Sequence, residues 1–265
     1  MSLLRFCHAG RPKSLAFTSS VSTCMGAGQI CPVIAEAPIG SDPSVSFSTG
    51  YAQSKYIIER ITQTASSSSG LNIPTHLLRV GQMCGSTKTG HWNSDEMFPI
   101  MFATSAHPKI HALPVFPRKS VDWIPVDVVA ETITQLLLPA EPKRDFEGYE
   151  VHNIVNPKSI AWSRLLEMVQ GSSLVSGRGK LEEVSMVEWV RRLNVLADSG
   201  AEPDEVPGLR LLAFWEDMVG DVGESKVFAT EKGVEGSVAM SELGAFCGEW
   251  LEGNLKVWRE SWFLK

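Results

Sequence analysis

Two periods of apolar residues run through this chain, one suited to strands and one to helices. Ser14 to about Val21 is almost continuously apolar before it turns into hydroxyls. That pattern suits a parallel strand covered on both faces. Thr75 to Val80, entered through Pro74, and Tyr149 to Val155 predict two further strands. Helical spacing appears over Ser2 to Ala9, which Gly10-Arg11-Pro12 ends, and from Gly50 to about Thr64, which the serines up to Gly70 end. Asn93 to Ser105 predicts a helix opened by an Asn-Ser-Asp-Glu capping cluster. Asp127 predicts a cap for Val128 to Leu138, and Ser159 one for Ile160 to Gln170. Beyond that the chain reads as helical, near Met186–Ala197, Leu209–Val219 and Met240 to Trp262. Trp189, Trp215, Trp250, Trp258 and Trp262 fall there at helical spacing and are expected in the core. Thr23 to Ser48 is a long loop with Pro and Gly, the kind that serves as a lid. Gly81-Gln82-Met83-Cys84-Gly85 is a glycine-flanked turn at the end of the second strand. In open α/β sheets ligands bind at that end.

Composition narrows the class. The chain has 265 residues, 43% apolar and 20% charged, as an ordinary globular protein does. A net charge of -6 without a basic run argues against nucleic acid or an anionic membrane as partner. No apolar stretch is long enough for a membrane span, and no continuous apolar segment marks a signal peptide. The five cysteines are widely spaced with no C-x-x-C, which fits reduced thiols in a cytoplasmic protein. The six histidines form no H-E-x-x-H or H-x-H cluster, so no metal is expected.

One stretch carries candidate chemistry, Gly50-Tyr51-Ala52-Gln53-Ser54-Lys55. Tyr51 and Lys55 are four apart and share one helix face. An ammonium beside a phenol favours the phenolate, and such a phenol can exchange a proton with a carbonyl oxygen. About thirty residues upstream, the first strand ends in Thr18-Ser19-Ser20-Val21-Ser22. A serine at a strand end followed by Y-x-x-x-K on the next helix is the layout of a short-chain dehydrogenase site.

Further blocks extend the match: Leu78-Arg79-Val80-Gly81-Gln82-Met83-Cys84-Gly85, Gly90-His91-Trp92-Asn93, Val121-Asp122-Trp123-Ile124-Pro125-Val126-Asp127 and His152-Asn153-Ile154-Val155-Asn156-Pro157. With these, the chain resembles the terminal thioester reductase domain of fungal-type polyketide synthases, nonribosomal peptide synthetases and adenylate-forming reductases, an extended short-chain dehydrogenase. The resemblance implies an α/β fold with a partial Rossmann-like parallel sheet. It places a Rossmann-like core at 1–157, with a substrate-loop insertion about 86–126, and a mainly helical substrate-binding part at 158–265. In that family hydride from NADPH reduces a carrier-bound acyl thioester. By the resemblance, Ser20 hydrogen-bonds the substrate carbonyl, Tyr51 is the proton donor and Lys55 tunes it. Val21, Ser22, Gln82, Met83, Cys84, Trp92 and Trp123 fall on the substrate side. Lys55, Val80, Gly81 and Met83 fall beside the nicotinamide.

The family's opening βαβ portion, with its glycine-rich pyrophosphate turn, has no counterpart in these residues. Gly26-Ala27-Gly28 lacks the third glycine of the fingerprint, and Gly85 to Gly90 is not a Walker A sequence; both read as loops. The expectation is therefore a protein without a nucleotide cofactor, in which Lys55, Val80, Gly81 and Met83 are vestiges. Ser20 and Tyr51 would then polarise a carbonyl of a polyketide- or peptide-derived small molecule, free or carrier-bound in trans, for cyclisation or another non-redox step. Two alternatives stay open: an NADPH-dependent reductase completed by a partner chain, and a non-catalytic binding remnant. The Ser14–Val21 strand is expected to be an uncovered edge, closed by the chain's own N-terminus or loop or by a second copy in a homo-oligomer.

Overall fold

A computed structural model describes residues 2–11, 13–67, 69–116, 119–138, 148–177, 179–219, 226–261 and 264. Pro12, Ser68 and Trp262, used in the sequence reading, lie outside them. The chain forms two compact units that interleave along the sequence. The first comprises Met1–Met83, Asp122–Lys158 and Lys226–Leu243; the second comprises Cys84–Val121, Ser159–Ser225 and Gly244–Lys265. Among the described residues, no helix is long and apolar enough to cross a membrane.

A three-stranded parallel sheet is the frame of the first unit. Thr75–Val80 is central, flanked by Leu15–Ser20 and Tyr149–Ile154. The register sets Leu15, Thr75 and Tyr149 on one level and Ser20, Val80 and Ile154 on another, so all three strands finish together. These are the three predicted strands, to within a residue. Leu15–Ser20 lies at the edge of this sheet. Near its start, Leu15 packs with Cys7, Ala65 and Ile73, and Leu4 of the Ser2–His8 helix lies against them.

The Gly50–Ser66 helix starts at Thr49, whose Oγ1 accepts from the Ala52 N–H at 3.3 Å. Ala52, Tyr56, Glu59, Thr62, Ala65 and Ser66 are its buried positions, at the spacing of one helix face. Glu59 is fully buried and meets Arg79, 1% exposed. Arg79 donates from Nε to Glu59 Oε2 at 3.1 Å and from a terminal nitrogen to the same oxygen at 2.9 Å. Glu59 Oε1 accepts from Ser19 at 2.5 Å and Thr23 at 2.9 Å. The carboxylate is thus saturated by donors from two strands and from the Val21–Cys24 turn of 3-10 helix.

The segment expected to be a lid is instead fastened along its length. Val33–Ile34 pairs in parallel with Val227–Phe228. The Tyr56 hydroxyl donates to Gly40 O at 3.0 Å and Arg60 to Ile39 O at 2.9 Å. Glu36 accepts from the backbone N–H groups of Asn153 and Lys232 at 3.0 and 2.7 Å. Ile34 and Ile39 join Cys24, Tyr56, Val155 and Phe228 in a small core. Loop length alone does not reveal such ties, because most are made by backbone groups.

In the second unit, Ala112–Val115 pairs in parallel with Glu182–Ser185, and Ser120–Val121 runs antiparallel to Ile160–Ala161. Its longest helices are Met186–Asp198 and Gly248–Glu260. Trp189, Trp215 and Trp258 are buried. Trp189 Nε1 donates to Ser105 Oγ and Ala112 O, both at 3.2 Å, and Trp258 Nε1 to Trp92 O at 2.9 Å. The Glu182–Ser185 strand breaks the expected all-helical stretch; three of its four residues are exposed, so it carries no apolar run to read. Three predicted helix starts also shift. Asn93 closes a turn on Asp95 N–H, and the helix begins at Met97. Val126 opens the next helix after Pro125, with Asp127 inside its first turn. Ile160–Ala161 is strand, so its helix begins at Trp162.

Removing one member of a buried ion pair leaves an uncompensated charge, at a cost of about 3–5 kcal/mol. Arg79→Met should therefore lower the urea unfolding free energy by about that amount. A loss within experimental error would show that the pair does not hold the sheet to the helix.

Candidate active site

Ser20 closes its strand, and its Oγ accepts from the Ser22 N–H at 3.2 Å and the Ser22 hydroxyl at 3.0 Å. With both contacts received, the Ser20 hydrogen is left for an external acceptor. Tyr51 occupies the first turn of the Gly50–Ser66 helix with its side chain 60% exposed. Lys55, one turn further, sends Nζ to Thr18 O at 2.9 Å, two residues before Ser20. The same Nζ lies 5.7 Å from the Tyr51 ring centroid and 5.1 Å from that of Phe17. Leu15 N–H bonds Pro74 O toward the central strand. Alternation therefore turns the Thr18 carbonyl to the opposite side, where Lys55 caps it. Lys55 thus ties the phenol to the strand that carries the serine.

The other predicted residues divide by exposure. Val80 ends the central strand beside Ser20, and Gly81 N–H bonds Ile154 O at 2.9 Å. A Cβ on Gly81 would stand 2.5 Å from Val155 Cγ1, so this turn can lie flat against the neighbouring strand only without a side chain. Val21, Ser22 and Gln82 are half-buried and Met83 is exposed. Trp123 is 3% exposed. In the second unit, Cys84 and Trp92 are buried as well, the Trp92 ring tilted 38° against that of Trp258 with centroids 5.7 Å apart. Gly26 and Gly28 do not cradle a ligand; a Cβ on either would strike Ser44 or Ser46.

Sequence reading missed two supports of this edge. One is the Glu59–Arg79 pair. Its signal was present: Glu59 follows Lys55 by four residues, and Arg79 is a lone charge in an otherwise apolar half-strand. The other is Asn156, whose backbone N–H bonds Asp122 O at 3.0 Å and whose Nδ2 donates to Trp123 O at 3.2 Å. These bonds fasten the Asp122–Trp123 segment to the end of the Tyr149–Ile154 strand. Burial pushes the Asp122 carboxyl up to about 6.

The chain's first half matches a family model of NAD-binding proteins described as "Male sterility protein", over residues 1–133. It is 29% identical over 94% of its length to the adenylate-forming reductase Nps11 of Serpula lacrymans, and covers 22% of that protein. It is 28% identical over 96% of its length to 3-methylorcinaldehyde synthase of Sarocladium schorii, and covers 9% of it. The chain thus spans under a quarter of the length of these relatives. Its fold matches the terminal R domain of the myxalamid PKS-NRPS pathway with a TM-score of 0.79 at 23% identity, over 99% of this chain and 62% of that one. The fold class is accordingly the α/β, parallel-sheet fold of reductase domains.

These findings overturn the expectation of a protein without a nucleotide cofactor, since the matched family model is a nucleotide-binding one. The donor set at the sheet edge fits a nicotinamide riboside. Lys55 has spent one of its three hydrogens on Thr18 O, which leaves two for ribose hydroxyls. The exposed phenol and the half-buried serine hydroxyl lie on the same edge. Lys55, Val80, Gly81 and Met83 are therefore not to be taken as vestiges on the ground that a glycine-rich pyrophosphate turn has no counterpart in these residues.

Asp122 provides a pH test. Its carboxyl titrates near 6 when folded and near 3.9 when unfolded. Its stabilising contribution is therefore fully present below the lower value and lost as pH rises through the upper one. Asp122→Asn should flatten the stability profile between those values and raise stability at neutral pH by roughly 2–3 kcal/mol. An unchanged profile would place the Asp122 carboxylate in water.

Proposed function

The chain belongs to the Male sterility protein family of NAD-binding proteins, and on that premise we propose that it carries the carbonyl-activating site of an NADPH-dependent thioester reductase of secondary metabolism. The single observation behind this reading is the position of Lys55, anchored on Thr18 O and set beside the Tyr51 ring, at the edge where Ser20 ends its strand. The substrate class is an acyl thioester on a carrier, in keeping with the synthases and adenylate-forming reductases among its relatives.

In this reading Ser20 and Tyr51 donate hydrogen bonds to the thioester carbonyl oxygen. As negative charge gathers on that oxygen, both bonds strengthen, which lowers the barrier rather than merely binding substrate. Tyr51 then passes its proton to the oxygen, and the Lys55 ammonium stabilises the phenolate left behind. Bound NADPH would supply the hydride to the carbonyl carbon, with Lys55 holding its ribose hydroxyls and Val80, Gly81 and Met83 lining the nicotinamide side. The resulting hemithioacetal loses the carrier thiol as its C–S bond breaks, which leaves an aldehyde. Val21, Ser22 and Gln82 stand on the substrate side of the same edge. Trp123, in the same unit, is buried and presents no ring surface for a substrate to touch.

The test combines the protein with NADPH and an acyl-pantetheine thioester. Tyr51→Phe should lower kcat by about 10²–10⁴-fold with little change in KM. Lys55→Met should lower kcat and also weaken NADPH binding. Nucleotide oxidation that is absent from the wild type, or equal in Tyr51→Phe, would remove this reading.

A further inference from the structure

On the sheet face opposite Arg79, three ligand-type side chains converge. His76 lies on the central strand, and Glu150 and His152 on its neighbour. The register pairs His76 with Glu150 and Leu78 with His152, so all three side chains project from one face. Their nitrogen and carboxylate ligand atoms lie within 4.8 Å of one another. The sequence reading compared histidines along the chain, and so did not see a cluster assembled across two strands.

The spacing within the cluster is informative. His76 Nδ1 stands 3.6 Å from Glu150 Oε2, and His152 Nε2 stands 3.5 Å from the same oxygen. Charge-assisted hydrogen bonds are shorter, about 2.7–2.9 Å. Two ligands about 2.0–2.2 Å from one tetrahedral ion are separated by about 1.63 times that length, or about 3.3–3.6 Å. Both measured gaps agree with that separation. The His152 side chain is 4% exposed, and among the described residues its ring nitrogens have only the long 3.5 Å approach of Nε2 to Glu150, beyond normal hydrogen-bond length. A buried imidazole in that condition is costly, whereas coordination by Nε2 would satisfy that atom. The two rings stack with centroids 6.3 Å apart and planes 21° apart. Lys232, whose charge also acts on His152, directs its Nζ to Glu36 O at 2.8 Å.

We propose that His76, Glu150 and His152 bind a divalent first-row metal ion of the zinc class, with a water as fourth ligand. Two imidazoles and a carboxylate are a donor set suited to such an ion. His76 precedes Val80, the residue level with Ser20, by four positions, or about 13 Å along the strand. The ion therefore stands away from the carbonyl chemistry. Its role is to clamp the central strand to the Tyr149–Ile154 strand, independently of the proposed reductase activity.

The test begins with the full chain stripped by chelator and titrated with zinc chloride by calorimetry. Cobalt chloride serves as a parallel spectroscopic probe. The expected result is one saturable site per chain, a higher Tm with zinc, and visible d–d absorption of tetrahedral cobalt. Glu150→Gln and His152→Ala should each weaken zinc binding at least tenfold and abolish the Tm rise. Glu150 is partly exposed, so Glu150→Gln provides a folded variant should His152→Ala fail to fold. His107→Ala, outside the cluster, should bind as the wild type does. Absence of saturable binding, or binding that persists unchanged in Glu150→Gln, would overturn the proposal.

Discussion

The carboxylate of Glu59 and the guanidinium of Arg79 are the fixed point of the first unit. Neither reaches solvent. Taking both charges out of water is expensive, and their mutual attraction offsets that cost only if the remaining lone pairs are filled. Ser19 and Thr23 fill them, and Tyr149 donates to the Glu59 backbone carbonyl at 3.3 Å. The pair is therefore better understood as a device of position than as a source of net stability. It fixes the rotation of the Gly50–Ser66 helix relative to two strands. Three of the residues proposed for the site sit close in sequence to a member of this network. Ser20 follows Ser19, Lys55 precedes Glu59 by one turn, and Val80 follows Arg79.

Much of this was legible from residue order. Strand positions came through because buried parallel strands leave compact apolar runs, as in Thr75–Val80. The Tyr51–Lys55 face came through because a four-residue interval has only one meaning on a helix. What remained hidden depends on partners distant in sequence. Helix starts at Met97, Val126 and Trp162 were set by a turn closed on Asn93, by Pro125 and by a bridge between Ile160–Ala161 and Ser120–Val121. A capping residue near a helix start is common, and competing local bonds decide whether it serves. The second unit's parallel pair was invisible for a related reason, since Glu182 and Glu183 give no sign of a strand until Ala112 and Leu113 lie beside them.

The cofactor question shows a different limit. A motif search weighs the residues it finds and also those it does not, but only the former describe a molecule. The residues present carry a lysine with further donors and an exposed phenol at the strand ends of a parallel sheet. Those features, taken with the family match, agree with nicotinamide chemistry. Inside the same unit, the Thr23–Ser48 segment shows that a long irregular stretch can be as firmly built as a helix. Its backbone is satisfied by the side chains of Tyr56, Arg60, Asn153 and Lys232 and by a short strand pairing rather than by a repeating pattern.

Tyr51, Lys55 and Glu59 recur at equal intervals on one helix face, and this makes the helix sensitive to phase rather than to length. Each residue turns the helix axis by about 100°. Adding or removing one residue between the phenol and the anchored carboxylate would swing Tyr51 to a different side of the cylinder while leaving the fold's outline intact. Insertions should accordingly be tolerated in the surface turn after Ser66, whereas the nine positions from Tyr51 to Glu59 form a span whose count cannot drift.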